Sequence, residues 1–231
     1  MNQLSSGRKS RLAGWLYLIV VVTGFFSLAY VPGQVFAPGD AHATAANIAT
    51  REALFRWGIA SYVLEQVAFL LLALELHRVF RATNRAAAAL MAVLVAISVP
   101  FALACCMHLL DAMSWATGAG MARAFDGSQS DAMVAHSIDA YRNGLTLVGV
   151  FWGLWLLPLG WLMAKSRQMP RFLAVLVAAG GIGYLVDTAC ELLWPGYRAS
   201  AMADYALLPA ALGEIGTCFW LLVFGIRRST D

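Results

Sequence analysis

Six long apolar runs, separated by short polar stretches, dominate the sequence. They lie at about 12–31, 54–77, 86–112, 141–164, 172–193 and 205–226. Each is close to the 20 or so residues that a helix needs to cross a bilayer, and a lipid-exposed strand would leave backbone groups without hydrogen bonds. The pattern therefore predicts an all-α integral membrane protein, a bundle of six transmembrane helices. We expect kinks at Pro100 and Pro158, inside the third and fourth runs.

The composition agrees with a membrane protein and argues against a soluble domain. Of the 231 residues, 61% are hydrophobic and 13% are charged, whereas soluble domains are about 45–50% apolar and about 25% charged. The length allows one domain over residues 1–231. The net charge of +3 is small, and the cations lie at the ends of apolar runs, which argues against a nucleic-acid partner. The first run is too long for the apolar core of a signal peptide, so we expect it to remain as a span.

The positions of lysine and arginine predict how the helices are oriented. Most of these cations flank span ends on one side of the membrane: Arg8, Lys9, Arg11, Arg78, Arg81, Arg85, Lys165, Arg167, Arg171, Arg227 and Arg228. By the positive-inside rule the richer side is cytoplasmic. Both termini are therefore predicted to be cytoplasmic, and the longer connections, 32–53 and 118–135, are predicted to lie outside.

The outer connection 32–53 carries local signals for a helix that leads into the second span. Asp40 and Thr44 are both suited to cap a helix N-terminus. Glu52 and Arg56 are four residues apart, which favours a salt bridge on one face of a helix. We expect this connection to be ordered for these reasons.

Three carboxyl side chains fall inside the apolar runs, where ionisable groups are costly and are functional candidates. A rise of about 1.5 Å per residue from the cytoplasmic flank puts Glu65 and Glu214 about 20 Å, and Asp187 about 24 Å, into the membrane. In a core about 30 Å thick, all three lie in its outer half. We predict them as catalytic residues, with hydrogen bonding between helices as the alternative role. Gly180 and Gly183, on the same stripe as Asp187, would let another helix approach closely.

Further polar side chains are predicted above these carboxyls, at the outer boundary of the membrane. Helical spacing places His136, Asp139 and Asn143 on one face of the fourth span, and Asp187 and Glu191 on one face of the fifth. With the deeper carboxyls they outline a polar cavity in the outer half of the bundle. The predicted substrate-binding residues are His108, Asp111, His136, Asp139, Arg142, Asn143, Glu191, Asp40 and Arg56.

The stretch CCMHLLD, residues 105–111, holds several types of metal-binding side chain. A zinc site needs three or four converging ligands, which His108, Asp111, His136 and Asp139 would supply if the third and fourth spans faced each other. Because a three-residue His/Asp spacing recurs by chance, we predict no metal or other cofactor. A metal at these four residues, or a haem held by the two histidines, is the minor alternative.

Several stretches in combination resemble a bacterial membrane family, the domain of unknown function DUF4386. They are PGDAHATAANI, LFRWGI, VGVFWGLWLLPLGWLMAKS, MPRFLAVLVAAGGIGYLVD, LPAALGEIG and WLLVFGIR, which together run along nearly the whole chain. The resemblance implies a polytopic helical domain in the bacterial inner membrane, and it implies no activity. It places functional weight on the outer connection, including Asp40 and Arg56, and on Asp187 and Glu214. Tyr141 stands where the family pattern leads us to expect a histidine.

Three functions fit these features. We favour the binding or conversion of a small apolar molecule, isoprenoid- or lipid-like, by carboxyl acid–base chemistry in an outward-facing acidic pocket. A proton-coupled carrier is an alternative because membrane carboxyls act as proton relays, although no inverted repeat supports it. A non-catalytic binding or assembly protein is the third, with the outer connections meeting a partner. Membrane lipids are the expected partners in every case.

Overall fold

The computed structural model of the protein describes residues 3–226, with side chains from residue 11 onward. Within that part of the chain 87% of the structure is helical and no strand occurs. The α-helices are α1 (Gln3–Gly24), α2 (Val31–Val35), α3 (Ala41–Thr50), α4 (Glu52–Phe80), α5 (Arg85–Ala116), α6 (Gly127–Ser166), α7 (Arg171–Leu193), α8 (Ala201–Tyr205) and α9 (Leu208–Val223). A π-helical segment, Phe25–Tyr30, joins α1 to α2, and short 3-10 turns form at Gly120–Ala124 and Tyr197–Ala199.

Six helical segments in the described chain are long and apolar enough to cross a membrane, which confirms the predicted spans. They are Arg11–Val35, Glu52–Phe80, Arg85–Ala124, Gly127–Ser166, Arg171–Leu193 and Ala201–Val223. The protein is therefore a multi-pass membrane protein. At about 1.5 Å per residue, the 40 residues of α6 extend roughly 60 Å, well beyond a hydrocarbon core of about 30 Å. The helices continue through Pro100 and Pro158.

The predicted orientation depends partly on residues outside the described range. Arg227 and Arg228 lie beyond it, and the side chains of Arg8 and Lys9 are likewise not among those described. The cytoplasmic placement of both termini stays a prediction for this reason. The connections on the side predicted to be cytoplasmic are short: α4 ends at Phe80 and α5 begins at Arg85, and α6 ends at Ser166 and α7 begins at Arg171.

The helix of the first long connection begins where local rules place it. Asp40 has extended backbone geometry and its carboxylate accepts a hydrogen bond from the amide of Ala43 at 2.8 Å, so Asp40 is the N-cap of α3. Thr44 is not a cap, and that prediction is wrong. Its hydroxyl lies within α3 and exchanges hydrogen bonds with the amide and carbonyl of Ala37, at 3.0 and 3.2 Å.

The chain forms two compact units, which we call the first and the second unit. The first comprises the described residues up to Ile19, Val67–Val99, and those from Thr146 onward; the second comprises Val20–Gln66 and Pro100–Leu145. Each of the first four spans contributes residues to both units. Every contact described below joins residues of the same unit.

The first unit is held together by close helix packing at glycines of α7. A Cβ at Gly180 would stand only 2.4 Å from the Cα of Ala210 in α9, and one at Gly183 would stand 2.3 Å from the carbonyl oxygen of Ala206. Small residues allow backbones to approach this closely in membrane helices. The predicted role is confirmed for Gly180, whereas Gly183 lies against the turn between α8 and α9. On the α9 side, Gly213 meets the backbone of Val177 in the same way.

Candidate functional site: a mixed-charge pocket and three carboxyls within the spans

A pocket of about 230 Å³ opens in the second unit between the start of α3 and the N-terminal third of α6. We call it the α3–α6 pocket. Its charged side chains are Asp40, Asp139 and Arg142, all of them exposed. The remaining lining is largely apolar: Phe36, Ala37, Pro38, Gly39, Ala41, Thr44, Ala135 and Ile138. The sequence predicts its three charged residues as substrate-binding, and the structure brings them together.

Hydrogen bonds to the backbone hold the non-helical wall of this pocket in place. The bonds between Thr44 and Ala37 tie α3 to the chain that precedes it. The side-chain amide of Asn47 also donates to the carbonyl of Val35 at 3.2 Å. On the other wall, the Arg142 guanidinium lies over the ring of Phe36, 5.3 Å from its centroid, in cation–π geometry. Contacts within the second unit therefore hold both walls of the pocket.

Phe36 also lines a second, much smaller cavity. This crevice of about 10 Å³ is lined by Ser27, Val31, Pro32, Phe36, Phe55, Gly58, Ile59, Leu109 and Tyr141. Its volume is close to the minimum of about 10–15 Å³ that one water requires. The ring of Phe36 packs edge-on against Phe55, with centroids 6.4 Å apart. Phe36 therefore lines both the α3–α6 pocket and an apolar crevice that Ser27 and Tyr141 also line.

The predicted carboxyl Glu65 is buried beside Ser27, near the middle of α4. The Ser27 hydroxyl donates to Glu65 Oε2 at 3.1 Å, and both residues are 7% exposed. Ser27 belongs to the π-helical segment, a local geometry that is rare and frequent at functional sites. Gly24, just before that segment, makes room for the carboxyl, since a Cβ there would stand 3.0 Å from Glu65 Oε1.

In the part of α4 that belongs to the second unit, two further polar atoms lie buried without a hydrogen-bond partner in the described chain. They are the hydroxyl of Tyr62 and the amide oxygen of Gln66, in residues that are each 1% exposed. Tyr62 packs edge-on against Tyr141, with ring centroids 6.3 Å apart. The interior of the second unit is thus more polar than the apolar sequence around it suggests.

In the first unit, Asp187 is paired rather than available as a lone acid. It is 6% exposed and accepts a hydrogen bond from the Tyr197 hydroxyl at 2.9 Å. The Arg198 guanidinium lies 3.3 Å from its second oxygen and also contacts Glu191. Burial, together with the hydrogen bond to Asp187, raises the pKa of Tyr197 to about 12, so this phenol stays a proton donor.

The third predicted carboxyl, Glu214 of α9, pairs with the first span. The hydroxyl of Tyr17, a residue that is 0% exposed, donates to Glu214 Oε2 at 3.2 Å. One turn on, the Cys218 thiol lies 3.8 Å from the carbonyl oxygen of Gly14. Glu65 and Glu214 therefore share one arrangement within their separate units: a carboxyl near the middle of a span, with a hydroxyl from the N-terminal span as its partner.

The other residues predicted to bind substrate lie outside the lining of the α3–α6 pocket. His108 and Asp111 contact each other at 3.6 Å on α5, and Arg56 forms the predicted salt bridge with Glu52 at 2.6 Å. His136 and Asn143 are exposed on α6. Glu191 takes part in the Arg198 cluster. Of the residues predicted at the outer boundary, Asp139 and Arg142 line the α3–α6 pocket together with Asp40.

No group of three or more His, Cys, Asp or Glu side chains converges within residues 11–226 in a way that could hold a metal ion. All four cysteines lie in that range and none forms a disulfide. The partners of the three carboxyls are the residues that sequence reasoning missed: Tyr17, Ser27, Tyr197 and Arg198. Of these four residues, only Arg198 could have been suspected from the sequence, because it is a cation that follows shortly after the acidic pair Asp187 and Glu191.

Comparison with known proteins decides the family. The sequence profile of a domain of unknown function, DUF4386, matches residues 12–225. The chain belongs to the DUF4386 family. The matched range of this DUF4386 member includes both walls of the α3–α6 pocket and the three carboxyl residues Glu65, Asp187 and Glu214.

One relative of this DUF4386 protein is an uncharacterized protein of Archaeoglobus fulgidus. The two are 32% identical over 94 residues, which is 41% of this chain and 54% of the relative. The chain thus spans about half the length of the curated relative that it matches. No solved structure matches the chain. Membership in DUF4386 confirms the predicted resemblance, and it assigns no activity.

Proposed function

We propose that this protein binds an amphipathic small molecule, lipid- or isoprenoid-like, with the polar end of the ligand in the α3–α6 pocket. One observation carries the proposal: a cavity with three charged side chains lies directly beyond the first apolar span, which ends at Val35. Charged groups next to membrane-spanning apolar surface suit a ligand that is polar at one end and apolar at the other. Such ligands are the lipids of the surrounding bilayer.

The size of the pocket limits what enters it. Sites that enclose a whole drug-sized ligand measure about 300–1,000 Å³, and the α3–α6 pocket, at about 230 Å³, is smaller. It therefore suits a polar head group, while the apolar remainder of the ligand stays against the hydrophobic surface of the spans. By the positive-inside rule, we propose that the pocket opens on the non-cytoplasmic side of the membrane. The membrane that we propose is the plasma membrane of a bacterium.

Conversion of the ligand by carboxyl chemistry is the second candidate function, and Glu65 carries it. Its carboxyl is buried, bonded to Ser27 beside the crevice, and positioned by an unusual π-helical segment. A buried carboxyl of this kind is suited to act as a general acid. Asp187 is less suited to that role, because the Tyr197 hydroxyl and the Arg198 guanidinium already occupy its two carboxyl oxygens.

The binding proposal is tested with purified protein in detergent micelles, incubated with a mixed membrane-lipid extract and analysed by native mass spectrometry. The double variant Asp139→Asn/Arg142→Gln removes one charge of each sign from the pocket and keeps the net charge. Asp111→Asn/Arg123→Gln makes the same change at exposed positions of the same unit, outside the pocket lining.

We expect the wild-type protein and the Asp111/Arg123 variant to retain lipid adducts equally. The Asp139/Arg142 variant should retain roughly tenfold less, because charge-assisted hydrogen bonds to the head group are lost. Equal retention by all three proteins, or no adduct with any of them, would contradict binding at this pocket.

A further inference from the structure

The α3–α6 pocket carries charges of both signs, with a carboxylate on each of its two walls and a guanidinium on the α6 wall. Arg142 and Asp139 are three residues apart on α6 and therefore share one face of that helix. Asp40 faces them from the N-terminus of α3, and all three line the same cavity. Two carboxylates and one guanidinium thus surround a volume sized for a head group.

The carboxylates have acceptor capacity that the protein itself does not use. Asp139 is exposed, and no hydrogen bond or ion pair links it to another residue of the described range, 11–226. Asp40 uses its Oδ1 atom to accept from the Ala43 amide. A carboxylate offers about four acceptor positions. An ammonium group in the pocket would therefore find acceptors on both walls.

The guanidinium of Arg142 is oriented by its contact with Phe36. A guanidinium that stacks on an aromatic ring keeps its planar set of N–H donors, which match the paired oxygens of a phosphate. A purely anionic head group would gain from Arg142 but would be repelled by Asp40 and Asp139. A purely cationic head group would be attracted by Asp40 and Asp139 but repelled by Arg142. A head group with both charges satisfies all three side chains.

We infer that the ligand of the α3–α6 pocket is zwitterionic, an aminoalkyl phosphate whose phosphate binds Arg142 and whose ammonium binds between Asp40 and Asp139. This rests on the proposed function, since the head group belongs to a membrane amphiphile there. A lipid and a free aminoalkyl phosphate share this chemistry, and the experiment below separates them.

The test measures the binding of lipids with identical acyl chains and different head groups, by native mass spectrometry of delipidated protein. The probes are phosphatidylethanolamine, phosphatidylglycerol, and a trimethylammonium-propane lipid that lacks phosphate. Soluble O-phosphoethanolamine is the fourth probe. Asp139→Asn and Arg142→Gln are the variants, and Asp111→Asn is the matched control, with an elution profile from size exclusion for each protein.

We expect the wild-type protein to retain phosphatidylethanolamine roughly tenfold better than either singly charged lipid. In the Asp139→Asn variant, phosphatidylethanolamine should no longer be retained better than phosphatidylglycerol. Arg142→Gln should weaken the binding of both phosphate-bearing lipids and strengthen that of the cationic lipid, because the repulsion by Arg142 is removed while Asp40 and Asp139 remain. The control should behave as the wild type.

The outcomes separate the inference from the function on which it rests. If phosphatidylglycerol binds as well as phosphatidylethanolamine and Asp139→Asn changes nothing, the zwitterionic head group is wrong while amphiphile binding stands. If O-phosphoethanolamine competes as strongly as the lipid, the head-group chemistry stands and the amphiphile proposal is wrong. If no probe binds, both are overturned.

Discussion

Replacing Gly180 by alanine should destabilise the first unit, because α7 and α9 touch at this position. The added Cβ would lie 2.4 Å from the Cα and 2.7 Å from the amide nitrogen of Ala210. Carbon atoms in contact prefer about 3.5–4.0 Å, so the two backbones must separate by roughly 1 Å. Inserting a methyl group into a closed contact costs about 1–3 kcal/mol. Alanine recovers up to about 1 kcal/mol of helix propensity at the same time.

Gly33→Ala is the matched control, since nothing lies within 4 Å of a Cβ at Gly33 in α2. That variant receives the gain in helix propensity without the clash, so the difference between the two variants isolates the steric cost. At about 2–4 °C per kcal/mol for a chain of this size, Gly180→Ala should unfold roughly 2–12 °C below Gly33→Ala.

Unfolding is followed in detergent with a thiol-reactive fluorophore, which reports exposure of the buried thiols Cys106 and Cys218 on heating. Both variants are scanned at one heating rate, because irreversible unfolding depends on that rate. An unfolding temperature for Gly180→Ala equal to or above that of Gly33→Ala would show that the two helices do not meet at this contact.

Three further predictions address other parts of the protein. Tyr197→Phe removes the hydroxyl that binds the buried carboxylate of Asp187 and should cost about 1–3 kcal/mol in thermal unfolding; an unchanged unfolding temperature would count against the pair. The exposed His42 bonds to Asp131 at 2.8 Å, and this bond raises the pKa of His42. The wild type should therefore be more stable than His42→Gln below about pH 6.5, and this advantage should disappear as the pH rises through the raised pKa of His42. A stability difference that does not change with pH would contradict this. A cysteine placed at exposed Asp111 should react with a membrane-impermeant maleimide added to intact cells, above the wild-type background, whereas labelling only after lysis would reverse the proposed orientation.

Features that depend on neighbours within about four residues could be predicted from the sequence. The six spans follow from the length of the apolar runs. The N-cap at Asp40 and the salt bridge between Glu52 and Arg56 follow from short-range spacing, and the structure contains both. Thr44 is the exception: its side chain suits a cap, but a longer-range bond to Ala37 takes its hydroxyl.

The candidate site could be predicted only in part. The sequence identifies the charged residues of the α3–α6 pocket. Counting residues along each span places Glu65 and Glu214 inside the membrane and so identifies them as candidates. The sequence does not indicate that Asp40 shares a cavity with Asp139 and Arg142 rather than with the histidines of the same region. Nearly one hundred residues separate Asp40 from Asp139 along the chain, and no local rule links them.

By itself, therefore, the sequence determines that this is a six-span helical membrane protein and which of its polar residues are costly to bury. Only the tertiary structure decides what those residues meet: a hydroxyl for Glu65, a guanidinium and a phenol for Asp187, an open mixed-charge cavity for Arg142. The physical reason is that helix formation and membrane insertion follow from local composition. The pairing of polar groups depends instead on which helices cross, and at what height their small residues let them approach.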